Sequence, residues 1–302
     1  MRASGGGAAP SEEDLMSADF DLMSARDLRR LVATRQASPV EITMRALDKA
    51  QATQSSLNAF VFLRPEAALE AAQAAEDAVM HGGPLGLLHG VPISVKDLIS
   101  LAAEPYCFGS RAMADHVATA DAPAVARIRA AGAIVIGKTT TSEFGCKPVG
   151  DSPLTGVTRH PWNPAKTPGG SSAGAAASVA AGVTSLALGT DGGGSLRIPA
   201  SLTGLFGLKA QFGRVPVWPL SATPTLAHVG ALARNVGDAA LLVAATIPDE
   251  GGLQWTESMS IVSSSTKKDL AKAFIQYASS PEGQIRSARL PSYWASIPNK
   301  KG

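Results

Sequence analysis

Thr167-Pro168-Gly169-Gly170-Ser171-Ser172-Ala173-Gly174 opens a run of small residues that continues to Ala181. Ser185-Leu186-Ala187-Leu188 then leads into Gly189-Thr190-Asp191-Gly192-Gly193-Gly194-Ser195-Leu196-Arg197-Ile198-Pro199. Two glycine-rich loops, each bearing serine, are thus separated by a small-residue helix, expected over residues 171–181, and a short apolar strand. The same alternation extends upstream. Val91-Pro92-Ile93-Ser94-Val95-Lys96-Asp97 is an apolar run ending in charges, as a buried strand delivers polar groups to its carboxyl end. Residues 122–131 put Val125, Ile128 and Ala131 on one helical face, Gly132 stops that helix, and Ile134-Val135-Ile136 is a β-branched strand. Further out, residues 57–63 read as a strand and residues 66–80 as an alanine-rich helix ending at Gly82-Gly83-Pro84. Nearer the start, Leu28, Leu31 and Val32 recur with helical spacing, and Ser38-Pro39-Val40-Glu41 reads as a capping box with proline at the first helical position. Strands alternating with helices define an α/β class with a largely parallel sheet.

The length of 302 residues accommodates one large domain or two smaller ones. Hydrophobic residues at 45% and charged residues at 17% exclude a disordered, solvating chain. A formal charge of +2 gives no strong pull toward nucleic acid or anionic lipid, so neither is expected as a partner. Two cysteines, Cys107 and Cys146, exclude a disulfide framework and a four-cysteine zinc site, and they fit a reducing compartment. With aromatics at only 5%, the core must be packed from small side chains and close backbone contacts. The first residues carry one early positive charge, small residues, then three acids, without an apolar signal-peptide stretch; a cytoplasmic location is the expectation. The longest uncharged run, between Lys166 and Asp191, is rich in Gly, Ser and Thr and reads as a buried helix between tight loops, not a membrane span.

Consecutive glycines let successive backbone N–H groups converge on one point, an anion-binding nest. A serine at the end of such a nest sits beside donors that could hold an oxyanion. The plainer alternative is that both loops are tight turns. Residues 169–174 have the glycine spacing of a phosphate-binding loop, but Ala175 stands where its lysine belongs. No dinucleotide fingerprint follows a strand. His81, His89, His116, His160 and His228 are isolated, so no metal and no cofactor is expected. Gly170-Ser171-Ser172-Ala173-Gly174 fits the hydrolase nucleophile elbow, and Ser172, Asp191 and His228 occur in the matching order. An elbow needs a strand immediately before it, however, and residues 162–168 hold two prolines and no β-branched run. Without a histidine, a serine can be activated by a lysine whose burial leaves it neutral. Lys96, ending a very apolar run, is the candidate; a solvated surface charge is its alternative.

Residues 22–245 resemble the amidase signature family of serine hydrolases. The resemblance is carried by Leu88 to Asp97, Ala131 to Thr139, Pro161-Trp162-Asn163-Pro164, Thr167 to Gly174, Gly189 to Pro199, Phe206-Gly207-Leu208-Lys209 and Ala233 to Ala240. It implies an amidase signature fold, a mixed, largely parallel central sheet with helices on both faces. It implies a Ser–cis-Ser–Lys triad: Ser195 as the nucleophile that becomes acylated, Ser171 as the bridging serine after a cis bond, and Lys96 as the base. Gly192, Gly193, Gly194 and Ser195 would form the oxyanion hole. Ser172, Thr190, Asp191 and Arg197 would be supports. The expected substrate is a small-molecule amide, with room for a homodimer.

Thr140 and His160 depart from the family's usual asparagines. The larger departure lies at the end. Residues 1–21 are expected as a flexible segment, 22–248 as an amidase domain incomplete on its C-terminal side, and 249–302 as an unrelated helical tail. Lys268 to Gln284 and Ile297-Pro298-Asn299-Lys300-Lys301 resemble the end of a bacterial transporter's solute-binding protein. The alternatives are an inactive remnant, a glutaminase-like subunit of a transamidation complex and, on the tail alone, a solute-binding module.

Overall fold

Ser24 caps α1 (Ala25–Ala33) by accepting from the Asp27 N–H, and Ser38 caps α2 (Pro39–Leu57) by accepting from the N–H groups of Val40 and Glu41. Each hydroxyl satisfies donors that a first helical turn leaves without partners. Only the serine half of the expected capping box forms. The computed structural model describes residues 20–221 and 223–248. Phe20–Leu22 forms a single 3-10 turn whose Asp21 accepts from Arg45 at 2.9 Å and Lys49 at 2.5 Å, so Phe20 and Asp21 are held, unlike the flexible segment expected there.

Asn58, at φ 50°, closes α2, so β1 (Phe60–Leu63) starts later than the strand expected from residue 57. Then follow α3 (Pro65–Met80), β2 (Pro92–Lys96), α4 (Pro123–Ala130), β3 (Ile134–Thr139), the small hairpin β4 (Asp151–Ser152) and β5 (Gly156–Val157), α5 (Ala173–Ala180) and β6 (Leu186–Thr190). The described chain continues through α6 (Arg197–Leu202), β7 (Phe206–Leu208), β8 (Val229–Ala233) and α7 (Val236–Thr246).

Six strands form one sheet in the order β1-β3-β2-β6-β8-β7. Parallel pairing joins β3, β2 and β6 at its centre, whereas β1, β8 and β7 pair antiparallel with their neighbours. Among the described residues β2, β3, β6 and β7 therefore run one way and β1 and β8 the other, a mixed, largely parallel sheet. Alternation along each strand divides the core into two faces. Ile93, Val95, Val135, Leu186, Leu188, Ala231 and Ala233 pack with side chains of α1, α4 and α7. Ile134 and Ile136 meet α2, α3 and α5, while Ala187 and Leu232 meet α5. Helices thus cover both faces, as an α/β layering requires.

Helix α5 explains the abundance of small residues. It is buried almost throughout and packs on β2, β3, β6 and β8. A Cβ on Gly174 would lie 2.1 Å from the Ala59 carbonyl oxygen and 2.4 Å from Thr140 Oγ1, so only glycine allows this approach. The helix starts at Ala173, later than residue 171, because Ser171 and Ser172 belong to the preceding loop. The helices expected within residues 266–302 lie outside the described residues.

Candidate active site

Strand β2 is buried along its whole length and ends at the sheet centre in Lys96. Its amine is completely buried, with Ser171 Oγ at 2.7 Å, Thr190 Oγ1 at 2.8 Å and Ser172 Oγ at 3.0 Å as its hydrogen-bond partners. No carboxylate lies within ion-pair distance of it among the described residues. Burial pulls Lys96 down from 10.5 to about 7, against the opposing charges of Asp191 and Asp97. The solvated surface lysine is excluded.

Strand β3 carries the fully buried Lys138 one residue before its end, a residue that sequence reasoning did not single out. Lys138 donates to the Ile99 carbonyl at 2.7 Å, lies 3.7 Å from Asp97 Oδ1 and sits over the Tyr106 ring at 5.2 Å. Burial lowers it to about 8, with Asp97 opposing. Both lysines lie at or next to the ends of apolar strands, so the sequence signal is shared; their partners differ. Lys138 has a carboxylate and a carbonyl, Lys96 a ring of hydroxyls.

Ser172 orders that ring. Its hydroxyl donates to the Thr190 carbonyl at 3.1 Å, so toward Lys96 it acts as an acceptor. Its backbone N–H donates to the Ser195 carbonyl at 3.2 Å, which joins the two serine-bearing loops edge to edge. The Gly170–Ser171 peptide is cis. Ser195 is half-buried, and among the described residues its hydroxyl makes no hydrogen bond. The turn at Gly145, another feature sequence reasoning did not single out, presses on Ser171: a Cβ there would stand 3.2 Å from Ser171 Oγ.

Asp191 organises the second loop. Its buried carboxylate accepts from Gly194 N–H at 2.6 Å, Leu196 N–H at 3.3 Å, and Arg197 Nε and an Arg197 terminal nitrogen at 2.9 and 3.0 Å. Burial alone would raise this carboxyl; the Arg197 guanidinium and the two backbone donors outweigh it and hold it below its ordinary value. Gly194 N–H is therefore committed to Asp191, unlike its expected place in the oxyanion hole. The N–H groups of Gly192, Gly193 and Ser195 have no acceptor among the described residues, and Gly192 and Gly193 are exposed.

The elbow alternative separates in space. His228 bonds the backbone carbonyls of Asp191 and Leu226, the Asp191 carboxylate is occupied by Arg197 and amides, and the Ser172 hydroxyl faces Lys96 and Thr190. No metal-holding group of His, Cys, Asp or Glu occurs among the described residues, and no helix there is long and apolar enough to cross a membrane. A small cavity lined by Ile42, Arg45, Pro92, Thr184 and Ser185 opens at the other ends of β2 and β6 and contains none of the groups around Lys96.

Sequence and fold both point to one family. The chain belongs to the amidase family, whose sequence model matches residues 41–283. It is 44% identical over 225 residues to the indoleacetamide hydrolase of Bradyrhizobium diazoefficiens, covering 72% of this chain and 43% of that one. Among solved structures, a bacterial aryl acylamidase of the amidase signature family superposes with TM-score 0.74 at 33% identity, over 80% of this chain and 51% of that one. The peptide amidase of Stenotrophomonas maltophilia gives TM-score 0.71 at 32% identity, over 77% and 50%. The chain spans about half the length of the curated relatives it matches. The family match continues past the boundary expected at residue 248, and the resemblance of residues 249–302 to a transporter's solute-binding protein gains no support.

Proposed function

We propose that this protein hydrolyses carboxamides through an acyl-serine intermediate, with Ser195 as nucleophile, Ser171 as proton relay and Lys96 as base. The observation that carries the reading is the buried Lys96 amine, 2.7 Å from Ser171 Oγ and without a carboxylate partner. A neutral amine has two N–H donors and one lone pair. Ser172, whose own proton points to the Thr190 carbonyl, takes one donor, and the Thr190 hydroxyl takes the other. The lone pair is then directed at Ser171, ready to accept its proton.

In this mechanism Ser195 Oγ attacks the amide carbon while its proton passes to Ser171, whose own proton passes to Lys96. The carbonyl oxygen becomes an oxyanion held by the N–H groups of Gly192, Gly193 and Ser195. Losing one such donor costs about 3–4 kcal/mol of barrier. The relay then runs backward and protonates the leaving amine, so the C–N bond breaks with the charge neutralised. Water attacks the acyl-serine by the same route, and the acid departs. Asp191 and Arg197 hold the loop that carries the donors.

A fluorophosphonate probe tests this directly. The wild type is expected to label at Ser195, and Ser195→Ala and Lys96→Ala to lose labelling while keeping a cooperative melt. The labelling rate should rise with pH through about 7 as Lys96 sheds its proton. A folded wild type that does not label is the inactive remnant; labelling that survives Lys96→Ala removes the lysine from the base role.

A further inference from the structure

His228 immediately precedes β8, and the Asp191 N–H donates to its carbonyl at 2.9 Å, extending the β6–β8 ladder by one pair. Its ring faces back onto the same loop. Nδ1 lies 2.8 Å from the Leu226 carbonyl oxygen and 3.2 Å from that of Asp191. Both are acceptors only, so Nδ1 carries a proton. Nε2 lies 3.2 Å from Lys209 Nζ, a donor, so Nε2 offers its lone pair. The imidazole is thus fixed as the neutral Nδ1–H form. The edge-on Phe212 ring, with centroids 5.6 Å apart, packs against it.

The consequence falls on Gly192. The Asp191 carbonyl and the Gly192 N–H are opposite ends of one planar trans peptide, so a bond that holds the oxygen also sets the direction of the hydrogen. Arg197, Gly194 and Leu196 hold the Asp191 side chain but not this plane. Gly192 and Gly193 have neither a side chain nor an N–H partner to restrain them, and glycine backbones are the freest to turn. The second carbonyl on the ring, that of Leu226, lies 3.6 Å from where a Gly192 Cβ would stand.

We propose that His228 is a positioning residue for oxyanion stabilisation: its Nδ1–H pins the Asp191 carbonyl and so aims the Gly192 N–H into the site. No proton is transferred through His228. The inference rests on the amide-hydrolysis reading above and adds a group that the Ser–Ser–Lys relay does not contain.

The test compares His228→Ala, His228→Asn and His228→Gln with the wild type in saturation labelling by a fluorophosphonate, which separates the saturating rate from the half-saturating concentration. An asparagine amide can place an N–H near the Nδ1 position; a glutamine amide reaches toward the Nε2 position. His228→Ala should lower the saturating rate about tenfold or more, since an ill-aimed donor loses part of the 10²–10³ of a deleted one, with half-saturation nearly unchanged. His228→Asn should recover most of that rate, and His228→Gln should not. If the alanine variant fails to fold, the Asn/Gln pair carries the comparison. An unchanged rate in His228→Ala, a loss confined to half-saturation, or equal rates in the Asn and Gln variants overturns the proposal alone. An unlabelled but folded wild type overturns the amidase reading and this one with it. Long-range ¹⁵N–¹H spectra give an independent readout, in which a proton on Nε2 at neutral pH would also refute it.

Discussion

Replacing Lys96 by methionine should make the protein's stability less dependent on pH, by an amount that follows from burial. In the folded protein the amine titrates near 7, against 10.5 for an exposed lysine. Between those values the unfolded chain binds more protons than the folded one, so wild-type stability rises with pH across that window. The full difference is worth about 5 kcal/mol, and about 3 kcal/mol of it is recovered between pH 6.5 and pH 9.5. Methionine has no such proton. It also leaves the hydroxyls of Ser171, Ser172 and Thr190 without the amine, which costs about 1–3 kcal/mol each where no other partner is found, but equally at both pH values. Lys138, whose pKa is likewise lowered, contributes to both proteins and cancels in the difference. Urea unfolding at the two pH values, followed by tryptophan fluorescence, gives the comparison. The wild type should gain about 3 kcal/mol on the variant as pH rises. Parallel stability curves, within about 0.5 kcal/mol, would refute the idea that Lys96 is held as a buried neutral amine, whatever the variant's activity.

A glycine of α5 and one of the second loop make separate predictions. Gly174→Ala should destabilise by about 3 kcal/mol or more, since its Cβ would meet backbone at 2.1 Å, whereas Gly193→Ala, with nothing within 4 Å, should melt within about 0.5 kcal/mol of the wild type. Equal melts for the two variants would contradict the close approach of α5 to the sheet. Arg197→Ala should cost about 1–2 kcal/mol at pH 7, because Asp191 keeps its two amide donors but loses its charged partner. The carboxyl of Asp191 is held below its ordinary value, so this contribution is present at neutral pH and is lost as pH falls through the folded-state value. The two proteins should therefore converge in strong acid, and a difference that grew on acidification would count against the pairing.

What was legible in the sequence was mostly local. Ser38-Pro39 marks the start of α2 because a hydroxyl cap and a preset φ act within one turn. The end of β2 was readable because an apolar run that terminates in charge has few other ways to be buried. Strands β7 and β8 and helix α7 were not read as elements, although their residues carried part of the family resemblance. Phe206–Leu208 is three residues long, and Val229–Ala233 draws its strand character from pairing with β6 and β7, contacts that no local window contains. The site shows the same division. Lys96, Ser171 and Ser195 were named by the family resemblance, but the withdrawal of Gly194 N–H by Asp191 depends on which side of the loop the carboxylate faces. Sequence spacing leaves that open.

Ser172, Asp191 and His228 show how far chain order can mislead. They occur in the succession that one hydrolase architecture uses for catalysis, and the fold brings all three to the same region. Yet none touches another through the atoms that such a relay would need. Ser172 uses its proton on the Thr190 carbonyl, Asp191 uses its carboxylate on a guanidinium and two amides, and His228 uses its ring on main-chain carbonyls and Lys209. On the reading proposed above all three act as braces: one orients the amine, one shapes the glycine loop, and one sets a peptide plane. In the proposed mechanism the acid–base role falls to the group whose environment separates its two protonation states most usefully near neutral pH. A histidine reaches that range with little perturbation. A lysine reaches it only by burial, and a buried amine without a carboxylate is what the central strand supplies at Lys96. The alanines and glycine of α5 therefore help keep the Lys96 amine buried as well as packing the helix on the sheet. A bulkier helix would stand further from the sheet, admit water to the amine, and let its pKa return toward that of an ordinary lysine.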